Sequence, residues 1–272
     1  MTSRPRGQPP GFPATLRAAH AKPTQIVRPM LRPQAPLELA VRDASRQATP
    51  TGLGLDSQRV RARMVERLKR QGLDSEPLSQ ALRQVPRHDF VDTALANQAY
   101  EDTSLPIGHG QTISKPSVVA RMLALLLEGA RARSLGSLGR VLEIGTGCGY
   151  QAALLAQLST QVVSIERIGA LFERAAVNLA PWRGDRIRLI HGDGMRGHPP
   201  NAPYDSMIAA AGGDELPAAW LEQMAIGGRL IAPMRPPRHA GQVLVVVDRH
   251  EGGYRHVQLE SVRFVPLKSG SV

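Results

Sequence analysis

Two carboxylates, Glu143 and Glu166, flank three glycines at alternate positions in Gly145-Thr146-Gly147-Cys148-Gly149, and this grouping is the part of the chain best equipped for chemistry. The run Val141-Leu142-Glu143-Ile144 is apolar apart from its acid and breaks directly into the glycines. A buried strand that turns sharply into a helix starting near Gly149 has this pattern. Glycines there let the backbone turn tightly and let a ligand come close to it. The helix start adds free N–H groups and a partial positive charge. A second run, Gln161-Val162-Val163-Ser164-Ile165-Glu166, ends in an acid 21 residues beyond Gly145. A carboxylate at that place can accept hydrogen bonds from both hydroxyls of a ribose. The chemistry implied is the binding of a nucleoside-containing cofactor over the carboxyl ends of a parallel sheet.

The glycine spacing departs from the dinucleotide fingerprint, whose third small residue comes later. Gly147-x-Gly149-x-x-Ala152 can still be fitted to that fingerprint, so a nicotinamide cofactor stays open on the glycines alone. Glu143 favours S-adenosylmethionine. A carboxylate two residues before the first glycine can lie near that cofactor's amino-acid end, directly or through the loop, whereas it would repel a pyrophosphate. The plainer readings are a simple strand-to-helix turn and a structural Glu143. His191-Gly192-Asp193-Gly194 follows the third strand, where Asp193 can accept from an adenine amino group and Gly194 can let the ring slide against the backbone. An ordinary Asp-Gly turn is the alternative. The fourth strand ends in Ile208-Ala209-Ala210-Ala211-Gly212-Gly213. It carries neither the polar, proline and aromatic residues used for methylating a base amine nor the carboxylates of a metal-dependent catechol methylation. No metal ligand set is expected.

The elements that must position these residues alternate along the chain. Strands are expected over 140–145, 161–166, 186–191, 204–210 and 228–233, with helices over 150–158, 168–180 and 216–225. This is the rhythm of an α/β fold with a doubly wound, mostly parallel sheet. Strands near 242–248 and 255–264 have no helix between them and should form an antiparallel edge. Upstream, Asp56 can cap a helix of roughly 57–71 whose apolar face is Val60, Met64, Val65 and Leu68. A second short helix is expected over 75–84, then a break at Pro86-Arg87-His88-Asp89-Phe90-Val91. Ser114-Lys115-Pro116 should cap a helix running to about Glu128, because proline is tolerated in the first turn. Met122, Leu125 and Leu126 read as core.

The 272 residues carry a net charge of +11, which raises the question of a nucleic-acid partner. Residues 1–55 hold eight Lys/Arg against two Asp/Glu, so over half of the charge sits in a fifth of the chain. That segment has nine prolines and few apolar residues, and a disordered, solvated extension is expected. A targeting peptide or a tether to an anionic partner are the alternatives. A folded region over 56–272 follows, with a helical, substrate-loop part over 56–135 and a cofactor part over 136–272. The single cysteine, Cys148, excludes an internal disulfide and fits a reducing compartment. No apolar run reaches 18 residues, so no membrane span is expected. A cytoplasmic location and no stable nucleic-acid partner are expected; a monomer is the expectation for the assembly, which the sequence itself does not give.

From about Arg59 to Leu267 the chain resembles the protein-L-isoaspartate O-methyltransferase family. The resemblance rests on Pro86–Val91, on Ala99-Tyr100-Glu101-Asp102-Thr103-Ser104-Leu105-Pro106-Ile107-Gly108-His109-Gly110-Gln111-Thr112-Ile113-Ser114, and on the glycine motif. Val163–Ile168, Gly192-Asp193-Gly194, Ala202-Pro203-Tyr204-Asp205 and Arg263-Phe264-Val265-Pro266-Leu267 complete it. The glycine motif is specific only to the cofactor class; Leu105–Ser114 carries the family. Met195 stands where the family often has tryptophan, Cys148 where serine is usual, and the long basic N-terminus is not part of the family core.

The resemblance implies methyl transfer from S-adenosylmethionine to the free carboxylate of an isoaspartyl or D-aspartyl residue in damaged proteins and peptides. It implies a methyltransferase fold of Rossmann-like type. Its cofactor set would be Glu143, Gly145, Thr146, Gly147, Gly149, Glu166, Arg167, Asp193 and Gly194, with Thr112, Ile113 and Val265 on the substrate side. Ser114 takes the place of the family's active-site serine, where its hydroxyl can hold one carboxylate oxygen and leave the other to attack. An ordinary helix cap is the plainer reading of Ser114 and is compatible with that role. A carboxylate is already ionised at neutral pH, with a pKa of about 4, so no general base is required and His88 and His109 read as structural. Two other functions stay open: a basic binding protein that uses its tail on nucleic acid, and methylation of a small-molecule carboxylate or hydroxyl.

Overall fold

The computed structural model of the chain describes residues 57–182, 184–237 and 241–272, all within one compact unit. The expected extension over 1–55 and the capping role of Asp56 lie outside the described residues.

The chain enters through α1 (Ser57–Arg70) and α2 (Glu76–Gln84). Their apolar stripes, Met64, Val65 and Leu68 on one and Leu78, Ala81 and Leu82 on the other, are buried. The break at Pro86–Val91 is a 3-10 turn over Arg87–Phe90, and a second such turn spans Thr93–Gln98. A short antiparallel hairpin follows, β1 (Leu105–Gly108) paired with β2 (Gln111–Ile113). Its tip is His109, held at φ 52° between Gly108 at φ 89° and Gly110 at φ 69°. Next come α3 (Pro116–Leu127) and a short α4 (Ala130–Leu135). Met122, Leu125 and Leu126 of α3 are core residues, as their spacing suggests.

The α/β part contains β3 (Arg140–Ile144), α5 (Tyr150–Leu158), β4 (Gln161–Glu166), α6 (Gly169–Asn178), β5 (Ile187–His191), β6 (Tyr204–Ala209), α7 (Ala218–Glu222), β7 (Met224–Met234), β8 (Gln242–His250) and β9 (Gly253–Val262). The seven strands form one sheet in the order β5-β4-β3-β6-β7-β8-β9. Pairings from β5 to β7 are parallel. The last two pairings are antiparallel, as a closing strand pair without a helix requires. Alternate residues sort to opposite faces of the sheet. Val141, Val162, Ile208 and Ile231 join one buried cluster, while Leu142, Val163, Met207 and Leu230 join the other.

Differences from the expected elements have local causes. The helix expected over 216–225 is only Ala218–Glu222, because β7 starts early and pairs Met224 with Tyr204 across a bulge. The β1–β2 hairpin and α4 carry no long apolar period that would mark them in the sequence. Among the described residues no helix is long and apolar enough to cross a membrane.

Candidate active site

Strand order reverses at β3, whose neighbours β4 and β6 lead to opposite sides of the sheet. Open α/β sheets bind ligands outside the carboxyl ends of their strands at such a point. A cavity of about 630 Å³ lies there. Its walls include Ile144 and Gly145 after β3, Ile165 and Glu166 from β4, Ala210 and Ala211 after β6, and the hairpin tip with Ser114.

The glycine loop has left-handed backbone at all three alternate positions, with φ of 90° at Gly145, 57° at Gly147 and 95° at Gly149. Only glycine adopts such values cheaply. Thr146 and Cys148 line the cavity between them, whereas Gly149 lies behind and begins α5. Glu166 closes the loop from across the sheet. Its Oε2 accepts from the Gly147 N–H at 2.8 Å and its Oε1 accepts from the Ile168 N–H at 2.9 Å. The carboxylate is therefore fixed at the cavity wall. A carboxylate oxygen accepts more than one hydrogen bond, so these two leave acceptor capacity for hydroxyl groups.

Glu143 is placed differently. Alternation along β3 turns it toward α5, it has no exposed surface, and it does not line the cavity. Ser164, its neighbour in the β4 register, donates to Oε2 at 2.5 Å, and Gln151 Nε2 donates to Oε1 at 3.0 Å. Thr146 Oγ1 lies 2.5 Å from Ser164 Oγ. Gln151 and Thr146 both line the cavity, so Glu143 meets it only through them. Burial pushes the Glu143 carboxyl up to about 8, against the opposing pull of its hydrogen bonds to Ser164 and Gln151.

Asp193 borders an adjoining recess of about 220 Å³ that shares Ile165 with the main cavity. Its Oδ1 accepts from the Met195 N–H at 2.9 Å, and its Oδ2 accepts from the Gly270 N–H at 2.8 Å. Gly194 lines the main cavity, and a Cβ there would sit 2.6 Å from Ile144 Cγ2, so the residue is as small as the site permits. Trp220, fully buried, donates Nε1–H to the Gly194 carbonyl at 2.8 Å and holds this loop from behind. Arg167 lines the cavity, and its Nε donates to the Gly270 carbonyl at 2.9 Å. The segment from Lys268 to Val272 is thereby strapped across this end of the site, with Val272 N–H bonded to the Arg167 carbonyl at 2.8 Å.

On the opposite side Thr112, Ile113, Ser114 and Val265 all line the cavity. Arg174 of α6 ties the hairpin down by donating to the Ile107 carbonyl at 3.0 Å. The capping role expected of Ser114 is not observed. The cap position of α3 is Lys115, and Ser114 makes no cap bond. Asp102 serves instead, accepting from the Ser117 N–H at 2.9 Å and from the Ser117 hydroxyl at 2.8 Å. Ser114 sits one residue too early for its side chain to reach the free N–H groups of the first turn. Among the described residues no hydrogen bond engages the Ser114 hydroxyl. His109 lines the cavity, whereas His88 does not and is held by the Tyr100 hydroxyl at 2.6 Å.

The roles of Gln151, Trp220, Asp102 and the 268–272 segment depend on contacts distant in sequence. Gln151 alone left a signal, since it sits one residue inside the helix that the glycine loop starts. The residues present fit S-adenosylmethionine. The cavity has the size of an ordinary small-molecule site, its glycine cradle comes close to any ligand, Glu166 offers fixed acceptors, and Ile144, Ile165 and Ile168 supply apolar walls.

The family described as protein-L-isoaspartate(D-aspartate) O-methyltransferase matches residues 58–272. A protein-L-isoaspartate O-methyltransferase of Methylibium petroleiphilum is 57% identical over 97% of this chain and 98% of its own length. That of Leptothrix cholodnii is 60% identical over 88% of this chain and 84% of its own. Among solved structures, a Plasmodium falciparum protein described as a protein-L-isoaspartate O-methyltransferase, in complex with S-adenosyl-L-homocysteine, is 25% identical. It superposes with a TM-score of 0.65, covering 76% of this chain and 97% of the other. A second structure of a protein with that name has a TM-score of 0.66 at 26% identity, covering 77% and 66%. Relatives this similar along nearly the whole chain leave one conclusion: the chain belongs to the protein-L-isoaspartate (D-aspartate) O-methyltransferase family.

Proposed function

We propose that this chain repairs damaged proteins by methylating the free carboxylate of L-isoaspartyl and D-aspartyl residues, with Ser114 orienting that carboxylate. The observation that carries the reading is the position of Ser114. Its hydroxyl has no partner among the described residues, and the residue lines the same cavity as the glycine loop and Glu166. When bound, S-adenosylmethionine supplies an electrophilic methyl group on a sulfonium. In this reading Glu166 holds the ribose, Gly145, Thr146 and Gly147 cradle the cofactor with Arg167 beside them, and Asp193 and Gly194 serve the adenine end. Glu143 acts through Gln151 and Thr146. The Ser114 hydroxyl donates to one substrate carboxylate oxygen and leaves the other free. Thr112, Ile113 and Val265 border the peptide and keep water from the reacting atoms. An ionised carboxylate needs no proton removed, which agrees with the alanines at the end of β6. Alignment and exclusion of water are then the protein's contributions. The division into a substrate part over 56–135 and a cofactor part over 136–272 belongs to the same reading. So do a monomeric state, a cytoplasmic location and the lack of a stable nucleic-acid partner; the single, buried cysteine supports a reducing compartment.

Transfer of labelled methyl to an isoaspartyl peptide beside its aspartyl twin tests the reading. Base-labile label on the isoaspartyl peptide and little on the twin is the expected result. Equal labelling of both would overturn it, and failure of the isoaspartyl peptide to compete would favour a small-molecule acceptor.

A further inference from the structure

Among the described residues Arg87 is the one arginine with no exposed surface. Its Nη2 donates to the Ser114 carbonyl at 2.7 Å and more weakly to the Thr103 carbonyl at 3.4 Å. Among the described residues its Nε and Nη1 have no hydrogen-bond partner. The guanidinium carbon lies 5.0 Å from the centroid of the Tyr150 ring, and Tyr150 is itself a wall of the cavity. No described carboxylate forms an ion pair with it. A buried cation with two unpaired donors is costly to keep. A neutral side chain would serve as well for simple packing, so the position of this charge calls for a reason.

We infer that Arg87 is a positioning residue that acts through Ser114, fixing the carbonyl of that residue so that its hydroxyl is presented to the substrate carboxylate. The inference rests on the reading of Ser114 given above. Two ties meet at this loop. Arg87 holds Ser114 by its own carbonyl, and Asp102 holds Ser117 by its N–H and hydroxyl three residues on. Ser114 therefore has little freedom to shift along the chain. Its guanidinium packs on the Tyr150 ring, and Tyr150 lines the cavity. Arginine suits this task because its planar fork stacks on an aromatic ring while donating to a carbonyl.

A double-mutant cycle separates this role from general packing. Arg87→Met, Ser114→Ala and the double variant are assayed on an isoaspartyl peptide, with Arg87→Lys as the conservative control. Cofactor affinity is measured by calorimetry on each. Arg87→Met should lower kcat about tenfold or more with cofactor Kd unchanged, and Arg87→Lys should recover part of the loss. In the Ser114→Ala background the same Arg87→Met change should alter kcat less than twofold. Equal fold-losses in both backgrounds would overturn the inference while leaving the Ser114 reading intact, and so would a parallel loss of cofactor affinity. A fully active Ser114→Ala would remove the Ser114 reading and this inference with it. If Arg87→Met does not fold, the cycle is run with Arg87→Lys, whose smaller loss must likewise vanish when Ser114 is alanine.

Discussion

Glu143 gives the sharpest quantitative expectation, because it is a fully buried carboxyl with two fixed neutral partners. Burial raises its folded-state pKa from 4.5 to about 8. Below the unfolded value both states hold the proton, and the group's contribution to stability is fully present. As the pH rises above that value the unfolded chain releases the proton while the folded protein keeps it, so stability falls. The loss runs at about 1.4 kcal/mol per pH unit, the value for one proton, and ends as the pH passes the folded pKa. Between pH 5 and pH 7 it amounts to about 2–3 kcal/mol. Glu143→Gln keeps the volume, can accept from Gln151 and donate to Ser164, and does not titrate. Urea unfolding of both proteins without cofactor at pH 5, 6 and 7 isolates this group, since other titrations cancel in the difference. The variant should gain on the wild type steadily with pH, by about 2–3 kcal/mol across the window. Parallel stability curves would show that Glu143 stays ionised in the folded state and that the argument from burial is wrong.

Glu166→Ala removes the fixed acceptors and also frees the Gly147 and Ile168 N–H groups. Cofactor affinity by calorimetry should fall by roughly 1–3 kcal/mol, the range for hydrogen bonds to a charged group, and an unchanged affinity would take Glu166 out of the site. Ser114→Ala should lower the turnover rate and leave cofactor affinity unchanged, with a rate flat between about pH 6 and 8 because the substrate carboxyl titrates well below that window. A wild-type rate that instead climbs through a pKa of about 6.5 would point to a histidine base, with His109 at the hairpin tip the first to replace. Thermal melts should show Ser114→Ala as stable as wild type, whereas Asp102→Ala should lose about 1–2 kcal/mol with the cap of α3.

The alternation of strands and helices, the glycine loop and the acid closing the second strand were legible in the chain because each is a local signal. Apolar period, left-handed backbone and a strand-end carboxylate all act within a few residues. The antiparallel edge followed from the missing helix between the last two strands. What no local pattern could reveal is which residue serves which neighbour. Asp102, not Ser114, caps α3, because the 3-10 turns and the hairpin bring a distant carboxylate to the helix start. Glu143 faces Gln151 and Ser164 because pleating and register turn it away from the cavity. Asp193 meets the Gly270 N–H, and Arg167 meets the Gly270 carbonyl, only because the sheet brings residues some 80 to 100 positions apart to one rim. Local sequence determined most elements of the α/β part and the type of cofactor chemistry. The partners of each buried charge were decided by the tertiary structure, since an ionisable group that leaves water must find its hydrogen bonds wherever packing places them.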